Sequence, residues 1–207
     1  MRLASPALPT GAFAWSGGLE GAIAEGLVRD PATARAWIED LLLLVHAPWD
    51  AAILWRLLTR PDARATWSGL FLASRETREL RAETLQIGKS LVDLLSALGH
   101  PVALDGPAPA TAPAAWALAA EAWGVGPDDA VVAWLAAACE HQLAVLQKAL
   151  PLGQVAAQRL LGELHPTVAR AAAIATTIDD DDLTSSTPGL AIVSARHERQ
   201  YCRLFRS

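Results

Sequence analysis

The sequence is short of cysteine, of positive charge and of long apolar runs, and each shortage excludes something. The two cysteines, Cys139 and Cys202, stand far apart and in no CxxC spacing, so they suggest no disulfide framework. Cys139 lies in an apolar helical run and is expected to be a small core residue. Lys and Arg number 17 against 22 Asp and Glu, a net charge of −5. A general nucleic-acid binder needs a basic face to displace counterions, which this balance argues against. No uninterrupted apolar run reaches the roughly 18 residues of a membrane span; the tightest block is Leu41-Leu-Leu-Leu-Val45. The first residues lack the apolar core of a secretory signal, so a cytoplasmic location is the expectation.

Catalytic signatures are absent as well. The chain has no Walker motif, no GxGxxG, no GxSxG and no HExxH. Its five histidines, His46, His100, His141, His165 and His197, are isolated from one another, and a structural role is expected of each. A metal site would need His197 and Cys202 to be folded together, or would need the run Asp179–Asp182. That run lacks the glycine and the alternating ligands of a calcium loop and reads as a solvated loop. No metal, cofactor or catalytic residue is therefore assigned.

What remains is helical. Hydrophobic residues make up 52% of the 207 residues and charged residues 19%, the balance of a globular chain. Apolar residues recur at three- and four-residue spacing, and no alternating strand series is present. The reading is all-α, a single domain over 1–207 with about eight to ten helices and irregular segments at both ends. A short helix is expected over 16–26. Asp30-Pro31 then caps a helix that Pro48 breaks near His46. Helices follow over 50–59, 61–73 and 74–98. A proline-rich loop covers 101–113, with helices over 114–123 and 127–150 beyond it. Pro166 divides what comes next into two helices ending near Glu163 and Ile178. Residues 183–196 read as irregular, with Ala191–Val193 a candidate extended stretch.

Two features are less ordinary. Arg75, Glu76, Arg78, Glu79, Arg81 and Glu83 open a helix as a charged, solvated face with pairs across its turns. Gly88, inside the same helix, costs about 1 kcal/mol relative to Ala unless another backbone approaches closely, and the same argument applies to Gly153. Gln86, Gln154 and Gln158 would need hydrogen-bond partners if buried. At the end of the chain, His197-Glu-Arg-Gln-Tyr-Cys-Arg-Leu-Phe-Arg-Ser207 concentrates Arg and aromatic side chains, the types enriched at binding hot spots. Such a tail either folds back on its own chain or docks on a partner.

Four stretches carry a family resemblance. They are Ser5-Pro-Ala-Leu-Pro-Thr-Gly-Ala-Phe-Ala-Trp-Ser-Gly-Gly-Leu-Glu20, Glu83-Thr-Leu-Gln-Ile-Gly-Lys-Ser90, Pro151-Leu-Gly-Gln154, and the tail from His197 to Ser207. In this order they resemble the UreF family of urease accessory proteins. The resemblance implies an all-α homodimer without enzyme activity. It would bridge the scaffold protein UreD (also called UreH) and the GTPase UreG, serve nickel insertion into apo-urease, and modulate the GTPase. The partner-binding residues it implies begin with Ser5, Pro6, Leu8, Pro9, Phe13, Trp15 and Glu20. Glu83, Gln86, Gly88, Gly153 and Gln154 follow. His197, Glu198, Gln200, Tyr201, Arg203, Leu204, Phe205 and Arg206 complete the set. The tail is expected to be loosely placed in the free protein and to order on the scaffold. Two other readings stand beside this one: a direct nickel-binding metallochaperone, and a regulator of a GTPase in another pathway. The chain departs from the family pattern at His141, where Asn is common, and at Ala157, where Gly is.

Overall fold

The computed structural model describes residues 3–5, 8–102, 104, 109–185 and 187–207. Pro6 lies outside the described residues. Among the described residues the chain forms helices and no strand. Helix α1 is Leu19–Ala24, α2 Pro31–Asp40, α3 Ala51–Thr59, α4 Arg64–Ala73 and α5 Arg78–Ala97; α6 is Ala112–Ala122, α7 Pro127–Ala149, α8 Gln154–Thr177 and α9 Pro188–His197.

The core is built on α3 and α6. Ala51, Ala52, Ile53, Leu54 and Leu57 of α3 are buried, and every residue from Ala112 to Ala120 is buried. Alanine dominates α6, and its small side chains let α3 and α5 pack closely on either side. Helices α7 and α8 pair along their length and close the other side of α3. Cys139 sits in this core, and burial pushes its thiol up to about 12.

The Asp30 cap forms as the sequence predicts. The Asp30 carboxylate accepts from the Thr33 amide at 2.8 Å, and the Thr33 hydroxyl accepts from the Asp30 amide at 3.1 Å. The break at Pro48 does not form. After Asp40 the chain continues as a π-helical segment, Leu41–Asp50, with Pro48 inside it, and runs straight into α3. An interior proline costs about 3 kcal/mol. Burying one large apolar side chain returns about 1.5–3 kcal/mol, and Leu41, Leu42, Val45 and Trp49 are all buried here.

Pro166 behaves in the same way. It lies inside the uninterrupted helix α8. Leu160, Leu164, Val168, Ala171 and Ala175 form one buried stripe across it, so packing against α7 outweighs the lost hydrogen bond. The stretch 183–196 is also corrected: Pro188 occupies the first turn of α9, and Ala191–Val193 is helical. The run Asp179–Asp182 is exposed, but Asp180 is bound by Arg56 at 2.9 Å and Arg60 at 2.6 Å. Arg56 is buried, and its guanidinium also donates to the Ile178 carbonyl, which caps the end of α8. The continuous helices Pro31–Thr59 and Pro127–Ala149 are long and apolar enough to cross a membrane by length and composition alone, beyond what the block Leu41–Val45 suggested. Here both contribute side chains to the core.

Gly88 meets the close approach that its sequence position suggested. A Cβ there would collide with the Ala110 carbonyl oxygen and lie 2.8 Å from the Thr111 carbonyl carbon. At Gly153, by contrast, nothing lies within 4 Å of that position. Gly88→Ala should therefore destabilise the fold by about 1–3 kcal/mol despite alanine's higher helix propensity. Gly162→Ala, mid-helix and uncontacted, should be neutral or stabilising by up to about 1 kcal/mol. Urea unfolding midpoints of the two variants check the contrast.

Candidate functional site

Three distant parts of the sequence meet at one place: residues 14–20, the start of α5, and the segment after α9. The chain enters α1 through Gly18 at φ 88°, a left-handed turn that favours glycine. That turn brings Glu20 inward. Thr77 caps α5, accepting from the Leu80 amide at 3.2 Å. Its hydroxyl also shares a 2.8 Å hydrogen bond with that of Ser194 on α9.

Helix α5 opens with a buried polar stripe, which corrects the expectation of a wholly solvated face. Glu79 is only 6% exposed, and Glu83 is half-buried. Arg75, just before the helix, donates to Asp50 at 3.0 Å. Glu76, Arg78 and Arg81 point to solvent.

At the centre lies His197, 1% exposed. Its Nδ1 is 2.8 Å from Glu79 Oε2, and its Nε2 is 3.1 Å from Glu20 Oε2. Arg203 donates to the other Glu79 oxygen at 2.8 Å. The Leu204 and Phe205 amides donate to the two oxygens of Glu20 at 2.7 and 2.8 Å, and the Gln200 side chain donates to Oε1 at 3.3 Å.

The last residues run alongside the N-terminal stretch. The Arg206 amide donates to the Ala14 carbonyl at 2.8 Å, and the Ser16 amide donates to the Ser207 carbonyl at 3.1 Å. The Ser16 hydroxyl donates to the same Ser207 oxygen. The Ser207 hydroxyl accepts from the Ser16 and Gly17 amides, each at 3.1 Å, and lies 3.2 Å from Glu83 Oε2, to which it donates. From α7, Gln142 donates to the Ser16 carbonyl at 3.1 Å, and His141 Nε2 donates to the Trp15 carbonyl at 2.9 Å. Lys148 lies over the Phe205 ring at 4.4 Å.

The expectation of a loosely placed tail is thus overturned. His197, Phe205 and Ser207 are buried in the chain's own structure. The physical reason is that the buried carboxylates of Glu20 and Glu79 need donors, and residues 197–205 supply them.

A family model described as UreF matches residues 28–165. Among curated proteins, the urease accessory protein UreF of Azotobacter vinelandii is 49% identical, with 100% of this chain and 97% of that protein covered. The chain belongs to the UreF family. The urease accessory protein UreF of an Azoarcus species is 48% identical, with 100% of this chain and 94% of that protein covered. That of Nitrosococcus oceani is 45% identical, with 100% and 97% covered. The UreF match over 28–165 includes the start of α5 but not residues 14–20 or the segment after α9, whereas the matches to the full-length relatives cover 100% of this chain.

The other expected contact residues are distributed as follows. Ser5 and Leu8 are half-buried, Pro9 and Phe13 are exposed, and Trp15 is buried. Phe13 packs edge-on to His141. Gln86 is exposed and bonds to Ser90, so no external partner is required of it. Gln154 and Gln158 are exposed at the start of α8, with Gly153 as its N-cap. Glu198 accepts from the Arg78 amide at 2.9 Å. Tyr201 is fully exposed, and Leu204 and Arg206 are exposed. Sequence reasoning missed Glu79 and Ser16 as anchors. Glu79 and Glu83 share a helical face with Leu80, Thr84 and Leu91, all buried, and that spacing was the available signal.

Glu83 also lies on the wall of a cavity of about 590 Å³, together with His46, Asp50, Arg75 and Gln142. Burial would raise the Asp50 carboxyl, but Arg75 and His46 outweigh it and hold the group below its ordinary value. For Glu83 burial wins, and its carboxyl is pushed from 4.5 to about 7. The folded state then binds more protons than the unfolded chain between those values. The Glu83 contribution to stability therefore falls as pH rises from about 4.5 to about 7 and is constant above that. Glu83→Gln should remove this slope, seen as flatter urea midpoints across the range and a more stable variant above pH 7.

Proposed function

We propose that this chain is a non-enzymatic urease accessory protein that works by holding other proteins together. In this reading it bridges the scaffold UreD/UreH and the GTPase UreG, acts in the cytoplasm as a homodimer, modulates the GTPase, and is required for nickel insertion into apo-urease. Family membership supports the accessory role. The observation that carries the docking part is the convergence of the N-terminal stretch and the tail on one surface.

That surface has two layers. Glu20, Trp15, His197 and Phe205 face inward and fix its shape. Phe13, Tyr201, Leu204 and Arg206 face outward, with Arg203 partly so. Aromatic and Arg side chains on a fixed backbone are suited to a protein partner. The inward layer takes part in binding by setting the shape of the outward one, and the scaffold contacts the outward layer.

Deleting residues 197–207 would be a poor test, because it strips the donors from two buried carboxylates and unsettles the fold. The triple variant Tyr201→Ala, Leu204→Ala, Arg206→Ala leaves those donors in place, since Leu204 bonds through its amide. Co-expressed with the scaffold and GTPase proteins, the wild-type chain should capture both. The triple variant should lose scaffold capture by about tenfold or more while keeping its helix content and melting temperature. Undiminished scaffold capture by a folded triple variant would reject the docking surface.

A further inference from the structure

The segment after α9 is fastened through His197. His197 presents both ring nitrogens to carboxylate oxygens, at 2.8 Å to Glu79 and 3.1 Å to Glu20. An ionised carboxylate only accepts hydrogen bonds, and a neutral imidazole has a single N–H. Two such contacts therefore need one proton more than a neutral ring between two carboxylates can supply, and that proton belongs to the three groups together. With it, two carboxylates face one imidazolium and the Arg203 guanidinium, and the charges balance. Without it, a ring lone pair faces a carboxylate oxygen in a site from which water is excluded, leaving a buried, unbalanced negative charge.

Among the described residues, no other cation is in reach of the ring. From α1 the ring faces Glu20, and from the start of α5 it faces Glu79; from the segment that follows, Arg203 is committed to Glu79. Arg196 is turned outward to Glu25 at 2.8 Å, and Glu198 to the Arg78 amide. Glu83, bound to Ser207, is the next acidic group along α5.

We propose that Glu20, His197 and Glu79 form a proton-operated latch on residues 198–207, closed while the trio holds its shared proton and opened by its loss. Opening would release the Leu204 and Phe205 amides from Glu20 and uncover Phe205 and the 14–17 backbone. The latch concerns this chain alone, so it stands or falls apart from the assignment of partners.

The sign follows from linkage. The closed state holds the extra proton and the open state gives it up. Closure therefore weakens as pH rises and the shared proton is lost, by up to about tenfold per pH unit for a single proton. The test is amide hydrogen exchange of the free full-length protein from about pH 6 to about pH 9, expressed as protection factors so that the intrinsic pH dependence is removed. It is run in the Glu83→Gln protein, which silences the neighbouring titration.

Protection at Leu204 and Phe205 should fall by tenfold or more while the amides of Leu54 and Leu135 stay unchanged. His197→Gln should give low protection at these two amides with no pH dependence. Nitrogen NMR of the His197 ring should show two N–H nitrogens at about pH 6 and loss of one in step with the loss of protection, a readout that does not depend on the variant folding. Flat protection at Leu204 and Phe205, a parallel fall in the core amides, a slope that survives in folded His197→Gln, or a ring carrying one N–H throughout would each overturn the latch.

Discussion

The constraint on which this end of the molecule depends is the burial of the Glu20 carboxylate. An ion taken out of water carries a penalty of several kcal/mol even after relaxation. Each hydrogen bond to a charged group returns about 1.5–3 kcal/mol. Two carboxylate oxygens offer about four acceptor positions, and four donors fill them: the Gln200 side chain and Leu204 amide on Oε1, the His197 ring and Phe205 amide on Oε2. All four come from residues 197–205. The short helix that carries Glu20 and the tail that satisfies it are therefore one structural unit, although some 180 residues separate them.

Glu79 extends the unit into α5. It takes His197 on one oxygen and Arg203 on the other, so the ring bridges α1 and α5. Thr77 and Ser194 reinforce the same junction through their hydroxyls. Polar groups buried together in this way add little net stability over an apolar core of the same shape. What they impose is register, because a slip of one residue in 197–207 would leave two carboxylates without donors. That explains why residues with irregular backbone conformation can have a defined path here.

Features set by neighbours in sequence were legible without the structure. The Asp30 cap, the helical class, the limits of α7 and the close approach at Gly88 each depend on a local pattern or on one residue's missing side chain. Features set by packing were not. Pro48 and Pro166 signal breaks, yet each sits in a helix whose apolar stripe continues past it, and burial decides the outcome. The tail was open to two readings because its residue types suit either, and the groups that choose between them, Glu20 and Glu79, are remote in the chain. Glu79 was hidden further by its company: five other charged residues between 75 and 83 suggested a solvated face, and only its phase relative to Leu80, Thr84 and Leu91 marks it as inward.

The fastening of the tail changes what its exposed residues can do. From Leu204 to Ser207 exposure alternates, with Leu204 and Arg206 out and Phe205 and Ser207 in, as in an extended segment laid on a surface. A disordered tail of the same composition would have to be ordered by its partner, at about 0.5–1.5 kcal/mol for each rotamer-rich side chain and more for the backbone. Here folding has already ordered the backbone through Glu20, Ser16 and Ala14. In the docking proposed above, binding energy from Tyr201, Leu204 and Arg206 would be spent on contact rather than on ordering. The same attachment makes the proposed docking surface conditional on the buried cluster beneath it, so a change in the charge of that cluster, with no contact to a partner, would alter the surface that a partner meets.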